Sequence, residues 1–301
     1  MLRPIAEFPI FSKLDLSHKE GVDSITSGFE PYSDFNFISL YCWNTDGSTE
    51  LSTLNDNLVI KLPDYVTGKP VYSILGNTEI DNSIERLLGV AKKLKLVPKP
   101  VMENIQNKAK YQIDEDIDNF DYIYDLTHLS GLSGGEFKGK RRNMARFLKK
   151  YGDKLSVDRI DLQNQNSVIE LTNIFKDWAR DRGKLEEEID QESKALTRLL
   201  ENPSLFNLVT VKIAVNNQPI GFSINEIGDT NYTACHFQKS VASFENSDVF
   251  LTNYVAKDLV KLGYKYINWE QDLGLAGLRN LKLSYKPKHM FKKYSIRFRA
   301  N

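Results

Sequence analysis

The most constraining stretch of the chain lies between residues 209 and 241. Val209, Val211, Ile213 and Val215 alternate with other residues, Asn216-Asn217-Gln218 makes a tight connection, and Ile220 to Ile227 forms a second run. Gly228-Asp229 separates that run from a third, Tyr232 to Val241. Three such runs joined by short turns read as an antiparallel meander. Ahead of it, Val168, Ile169, Leu171, Ile174, Phe175 and Trp178 recur at helical spacing, and a second periodic run through Ile189, Leu196, Leu199 and Leu200 stops at Pro203. Behind it, Phe250, Leu251, Tyr254, Val255, Leu259 and Leu262 share a helical face closed by Gly263. A short strand at Tyr264 to Trp269, a helix from about Leu275 stopped by Pro287, and a closing strand at Tyr294 to Phe298 complete the order.

Helix, helix, three antiparallel strands, helix, strand, helix, strand resembles the order of the GNAT acyltransferase fold, an open mixed sheet flanked by helices. The first half follows a similar plan. Strands are expected at Phe35 to Trp43, Leu58 to Leu62 and Val71 to Leu75, and a helix carrying Ile84, Leu87, Leu88, Ala91 and Leu94 is expected to end before Pro98. Phe120-Asp-Tyr-Ile-Tyr-Asp125 followed by Leu129-Ser-Gly-Leu132 is echoed by Tyr264-Lys-Tyr-Ile-Asn-Trp-Glu270 followed by Leu275-Ala-Gly-Leu278. Two diverged copies of one unit account for this, and 301 residues suffice for two cores. The expected architecture is therefore α+β: tandem GNAT-like domains at 1–162 and 163–301, divided after a strand at Leu155 to Ile160, each a mixed, mostly antiparallel sheet flanked by helices.

Composition excludes several classes. Apolar residues are 41% and charged residues 27%, ordinary globular values. Cys42 and Cys235 stand alone, without Cys-x-x-Cys or Cys/His clusters, so no metal is expected and a reducing compartment is. No run approaches the roughly 20 apolar residues of a membrane span, and Met1 to Phe8 lacks a signal-peptide core. A cytoplasmic protein is expected. Lys plus Arg and Asp plus Glu are 40 each, so positive potential must be local if it exists at all.

It is local. Lys138 to Lys150 contains seven Lys or Arg residues, with Met144, Phe147, Leu148 and Tyr151 marking a buried stripe and Arg142, Arg146 and Lys149 another side. From Leu273 to Asn301 there are eight Lys or Arg residues and no Asp or Glu. Such sorting in a neutral chain points to an anionic partner. Just beyond the strand at Tyr264 to Trp269, Glu270 and Asp272 precede Arg279, Lys282 and Lys286, which can share a helix face. An acid able to take a proton from an amine, facing a guanidinium able to hold an oxyanion, is what acyl transfer requires. His236 and Lys239 lie three apart on one strand and face opposite sides; Lys239 is a candidate anion binder and His236 a satisfied histidine.

Coenzyme A sites of this fold cradle pyrophosphate in a glycine-rich loop after the meander. Here that loop is Ala242-Ser-Phe-Glu-Asn-Ser-Asp248, with two carboxylates and no glycine.

Tyr32-Ser-Asp-Phe-Asn-Phe37, Tyr124-Asp-Leu126, Lys140-Arg-Arg-Asn-Met-Ala-Arg-Phe147, Asn268-Trp-Glu-Gln-Asp-Leu-Gly274, Gly277-Leu-Arg279 and Lys282-Leu-Ser-Tyr-Lys-Pro287 together resemble the soluble domain of phosphatidylglycerol lysyltransferases and its stand-alone relatives. That resemblance implies a tandem GNAT fold related to aminoacyl-tRNA-dependent transferases. It implies Asp272 and Arg279 in the transfer site with Glu270 nearby, and Lys239, Arg142, Asn143, Arg146, Lys282 and Tyr285 in substrate binding. The expected activity moves an aminoacyl group from aminoacyl-tRNA to an amine or hydroxyl, with no bound cofactor, tRNA or another anionic donor as partner, and membrane lipid met peripherally. The rivals are an acetyl-CoA-dependent N-acetyltransferase and a non-catalytic anion-binding relative. Two departures from the family bear on this. No membrane-spanning half is seen here, which weakens lipid as acceptor, and Asn246-Ser-Asp248 stands where relatives often carry glycine.

Overall fold

The structure, a computed structural model, describes residues 4–299. The chain forms two compact units. One takes the chain up to Tyr122 together with Glu270–Leu283 and His289 onward; the other takes Ile123–Trp269 and Ser284–Lys288.

The first unit is built on strands β1 (Ser12–Lys13), β2 (Glu50–Leu54), β3 (Asn57–Pro63), β4 (Pro70–Leu75), β5 (Leu94–Pro98) and β6 (Tyr111–Glu115), with helices α1 (Lys19–Thr26), α2 (Phe37–Trp43), α3 (Ile80–Leu88) and α4 (Lys99–Glu103). Its sheet also takes β14 (Lys293–Phe298), which follows the short β13 (His289–Phe291), and runs β1-β2-β3-β4-β5-β14-β6. Every pairing is antiparallel except that of β4 with β5. Asn55 and Asp56, both at positive φ (50° and 63°), form the two-residue turn between β2 and β3, a conformation that Asn and Asp tolerate and that matches strand twist.

The second unit contains β7 (Asp121–Asp125), α5 (Leu126–Gly131), α6 (Lys138–Tyr151), β8 (Leu155–Arg159), α7 (Gln165–Asp181), α8 (Glu186–Glu201), β9 (Leu208–Val215), β10 (Gln218–Glu226), β11 (Tyr232–Ser240), α9 (Ser247–Lys261) and β12 (Tyr266–Asn268). Its strand order is β7-β12-β11-β10-β9-β8. The meander is as expected, turned by Asn216 and Asn217 at φ 49° and 63°. β11 and β12 are parallel for only three residue pairs, Tyr232 to Ala234 against Tyr266 to Asn268. α9 is held against this sheet by Arg159 of β8, whose guanidinium binds Asp258 through two 2.7 Å hydrogen bonds, and against α5 by the Asn253 amide donating to the carbonyls of Leu129 and Ser130.

The two sheets repeat one plan: an antiparallel meander, a strand parallel to its last member (β5 or β12), then an antiparallel strand beside that one (β14 or β7). The fold class is the tandem GNAT-like one expected. The echo between residues 120–132 and 264–278, however, joins strands in different slots, because β12 occupies the position of β5 whereas β7 occupies that of β14. The compact units also depart from the linear division at 162 and 163. β7, α5, α6 and β8 are hydrogen-bonded or packed in the second unit, and β14 is paired in the first.

Two further expectations are corrected. Residues 35–43 are not a strand: Asn36 caps α2 by accepting from the Ser39 amide (3.0 Å), and Phe37, Ile38, Leu40, Tyr41 and Cys42 are all buried. A helix buried all round has no apolar stripe to reveal its period. Leu94 belongs to β5, since α3 ends at Leu88 before Gly89.

The first unit encloses an ion cluster. Lys293, at the start of β14 and fully buried, donates to Asp121 Oδ1 (2.7 Å) and Ser33 Oγ (3.1 Å) and pairs with Asp34. Asp121 also accepts the Ser33 backbone N–H (2.8 Å), and Asp34 accepts the Tyr65 hydroxyl (2.7 Å). Removing the cation that these two buried carboxylates share costs about 3–5 kcal/mol. Lys293→Met is therefore expected to lower the urea midpoint sharply with an unchanged m-value, and Lys293→Arg to lower it less, as read by chemical denaturation.

Candidate active site

The first unit's segment Glu270–Leu283, which follows β12 in sequence, turns through three left-handed residues, Glu270 (φ 56°), Leu273 (φ 55°) and Gly274 (φ 75°). The φ of residue 274 favours glycine, and a Cβ there would lie 3.0 Å from Asp118 Oδ2, a close contact that the exposed Asp118 side chain would have to relieve. The turn places Asp272 inside the unit, fully buried. Its Oδ1 accepts from the Gly274 N–H (2.8 Å) and Arg279 NH2 (2.7 Å); its Oδ2 accepts from the Tyr122 hydroxyl (2.5 Å) and Arg279 Nε (2.7 Å). Burial pushes this carboxyl up, but the bonds from Arg279, Tyr122 and Gly274 outweigh it and hold it below the ordinary carboxylate range. Burial and the adjacent carboxylate raise the Tyr122 phenol to about 12.

The structure thus brings Asp272 and Arg279 together, as the sequence led one to expect, in a different chemical state. All four acceptor directions of the carboxylate are occupied, leaving none for an incoming amine. The expected proton acceptor is Asp272 or Glu270, and a fully buried, fully bonded Asp272 is poorly placed for that role. Arg279, one-third exposed, also binds Asp118 (2.7 Å). Lys282, on α10 (Ala276–Ser284), is buried and donates to the carbonyls of Glu270 (3.0 Å) and Gln271 (2.6 Å), so it ties the turn rather than facing an anion. The Glu270 carboxylate accepts the Ser39 hydroxyl at 3.0 Å.

The second unit holds a cleft of about 360 Å³ at the N-terminus of α9. Its lining includes Arg146 from α6, Arg182 just beyond α7, and Glu245, Asn246, Ser247 and Asp248 from the loop and first turn. Asn246 enters the helix at φ 66° and gives it no side-chain cap. The loop is fixed from α7, where Asp181 accepts the Ser243 N–H at 2.6 Å. Among the described residues, neither Arg146 nor Arg182 lies within ion-pair distance, 4.0 Å, of a carboxylate. Two guanidiniums without partners and two carboxylates therefore share one solvent-filled hollow with the positive end of a helix dipole.

The remaining expected residues divide around this cleft. Arg142 and Asn143 lie on α6, one turn before Arg146, Arg142 exposed and Asn143 half-buried. Lys239 is not available as an anion binder: it pairs with Glu192 (2.6 Å) and its ammonium rests 4.0 Å from the centre of the Trp178 ring. Tyr285 is buried, edge-on to Trp269 at 5.1 Å, with the Lys140 ammonium 3.6 Å from its ring centre. Burial lowers the Lys140 ammonium's pKa, a shift that Asp248 partly opposes. His236 is buried and contacts Glu226 (3.1 Å), as a satisfied histidine should. Sequence reasoning missed Arg182; its one signal was position, a cation closing α7 before Gly183. It recorded Glu245 and Asp248 only as obstacles to coenzyme A.

No helix among the described residues is long and apolar enough to cross a membrane. No curated protein matches the chain. A conserved protein of unknown function from Bacteroides thetaiotaomicron superposes with a TM-score of 0.82 at 24% identity, over 96% of this chain and 99% of that one. The C-terminal domain of a putative lysylphosphatidylglycerol synthetase from Agrobacterium fabrum gives 0.61 at 12% identity, covering 92% of each chain. L-PGS from Bacillus licheniformis gives 0.60 at 14%, covering 98% of this chain and 93% of that one. At these identities the superpositions speak for the fold alone. Residues 28–297 match the family described as phosphatidylglycerol lysyltransferase, C-terminal. The chain therefore belongs to that family and is of acyltransferase type.

Proposed function

We propose that this protein transfers an aminoacyl group from aminoacyl-tRNA to an amine or hydroxyl acceptor, and that the α9 cleft holds the acylated end of the donor. The observation that carries this reading is the mixed charge of the cleft. An aminoacyl ester at the end of an RNA presents phosphodiester anions and, a few ångströms away, the α-ammonium of the amino acid. Arg146 and Arg182 suit the first, and Glu245 and Asp248 suit the second. The pyrophosphate of coenzyme A offers only negative charge, and the two carboxylates disfavour it. Family membership supports the acyl-transfer class, and the donor's identity is the step inferred from the cleft.

Transfer needs no covalent enzyme intermediate. The acceptor's lone pair attacks the ester carbonyl, the tetrahedral intermediate collapses with loss of the ribose hydroxyl, and the proton given up by the acceptor ends on that hydroxyl. A cleft carboxylate can relay this proton, and the N-terminal dipole of α9 favours the developing oxyanion. Asp272 and Arg279 then serve as an anchor that fixes the turn after β12, not as acid or base.

Filter binding of a charged tRNA pool against the same pool deacylated tests the donor assignment. Arg146→Ala and Arg182→Ala are each expected to weaken binding of both pools about tenfold, since each removes a charge-assisted phosphate contact worth roughly 1.5 kcal/mol. Glu245→Gln with Asp248→Asn is expected to abolish the preference for the charged pool and leave the deacylated one bound. A rise in Tm with acetyl-CoA, without binding of either pool, would overturn the reading.

The anchor role makes its own prediction. Asp272→Asn and Arg279→Ala are expected to cost about 2 kcal/mol of stability, read by thermal denaturation, while single-turnover transfer measured well below Tm persists. Because the folded Asp272 carboxyl lies below its unfolded value, its stabilisation is complete above the ordinary carboxylate pKa. It is lost as pH falls through the depressed folded value. Asp272→Asn should therefore flatten the acid side of the stability profile.

A further inference from the structure

The last residue of α7 is placed against the interest of its own helix. Asp181 is exposed and puts a carboxylate at the negative end of the helix dipole, where a cation is favoured. No charge offsets it. Arg180 and Lys184 pair with Asp177 and Glu188, and among the described residues no cation, Arg182 included, lies within ion-pair distance, 4.0 Å, of Asp181. Its carboxylate instead leaves the helix and accepts the Ser243 N–H at 2.6 Å.

The loop that receives this bond has few other ties. Its turns are internal: the Phe244 N–H donates to the Val241 carbonyl (3.2 Å) and the Ser247 N–H to the Phe244 carbonyl (3.0 Å), while the Phe244 and Tyr151 ring centres lie 5.5 Å apart. Among the described residues, Asp181 supplies the one hydrogen bond that Ala242 to Asn246 receive from another element. The other end of the tie is firm. Gly183 (φ 61°) closes α7, its N–H on the Arg180 carbonyl (3.0 Å) and the Lys184 N–H on that of Ala179 (2.9 Å). One turn before Arg182, Trp178 lies 4.0 Å from the Lys239 ammonium of β11, which Glu192 of α8 holds in turn. Loss of the Asp181 bond therefore releases the loop, not the helix.

We propose that Asp181 is a positioning residue for the α9 cleft, a clasp that keeps the Glu245 carboxylate from closing on the guanidiniums of Arg146 and Arg182; the role rests on the donor reading of the cleft given above. Asp248 is fixed by α9 itself, whereas Glu245 stands two residues from the clasped Ser243 in the loop. A carboxylate on an unclasped loop beside two guanidiniums without ion-pair partners is drawn onto one of them, because charge-assisted bonds to a guanidinium are strong and the cleft is partly screened from water. The pair so formed would cost the cleft a phosphate contact and the partner of the amino group together. The clasp thus accounts for opposite charges that share one hollow and remain apart. It also accounts for an acid that the end of α7 by itself disfavours.

The test combines filter binding of charged and deacylated tRNA pools with hydrogen exchange at the Ser243 amide. Asp181→Ala is expected to weaken binding of the deacylated pool by up to about tenfold, the loss of one phosphate contact, and to erase the preference for the charged pool. Tm should not fall, since α7 loses an unfavourable charge. Asp181→Asn keeps an acceptor for the Ser243 N–H and should bind both pools as wild type does. Asp181→Ala combined with Glu245→Gln should recover wild-type binding of the deacylated pool without the preference, because no carboxylate is left in the loop to close on a guanidinium. A residue that served folding alone would lower Tm when replaced and would not be rescued by Glu245→Gln; either result overturns the clasp. Ser243 exchange should rise at least about tenfold in Asp181→Ala and stay slow in Asp181→Asn. Unchanged exchange in Asp181→Ala overturns the clasp whatever the pools do. Wild-type protein that binds neither pool, with exchange responding as expected, sinks the donor reading and leaves the clasp standing.

Discussion

The seating of β14 between β5 and β6 governs most of the first unit. Tyr294 to Phe298 pair with Tyr111 to Glu115 on one side, and Lys293, Tyr294 and Ile296 with the β5 strand on the other. Without β14, β5 and β6 would each expose an unpaired row of backbone groups, so the C-terminal strand completes a core whose other strands all lie before residue 116. The matching slot of the second sheet is filled by β7, from the first half of the chain. Each sheet therefore closes with a strand remote in sequence from its meander. Strands of this kind impose long loop closures before any ladder bond repays them, which favours late completion of both sheets in folding.

That topology explains where polar residues are satisfied and where they are not. The return segment to β14 must be fixed at both ends, and its polar groups do so: Asp272, Arg279 and Lys282 at the turn, Lys293 at the strand. Asp272, Lys282 and Lys293 are buried because the bonds they make replace those to water. The cleft at α9 obeys the opposite rule. Its guanidiniums and carboxylates stay apart though pairing them would cost little, and the helix that follows lacks a side-chain cap. Charges left unpaired in a hollow are a better mark of a binding site than charges found close together, because closeness is what a structural ion pair also produces.

The same distinction sets how much was legible in the sequence. Helical and alternating periods announced α7, α8, α9 and the meander, whose faces differ in burial, and Gly and Pro marked their ends. Periodicity failed at α2, buried on nearly every residue, and at β2, whose Leu51, Ser52 and Leu54 are all buried in a mixed apolar and polar run. Spacing correctly brought Asp272 to Arg279, seven residues on, but spacing cannot report that Tyr122, 150 residues earlier, completes the carboxylate's shell. Nor could it reveal that Glu192 and Trp178 occupy Lys239. Arg146 was visible as part of a basic run, whereas Arg182 joins it only because α6 and the end of α7 converge on one loop.

The glycine-free loop before α9 carries a last consequence. In a phosphate-cradling loop, small residues let main-chain N–H groups surround an anion, and affinity comes from the backbone. Here the loop offers side-chain carboxylates, and the cations arrive from α6 and α7. On the proposed reading, recognition rests on side chains rather than backbone, which permits a ligand of both charges and relaxes the demand for a compact pyrophosphate. The same reading separates two tasks that a backbone cradle fuses, because Arg146 and Arg182 would hold the donor's phosphates while the loop's carboxylates meet its amino group. A fold that elsewhere spends its polar groups on holding remote strands in place thus leaves one cleft and its loop chemically open.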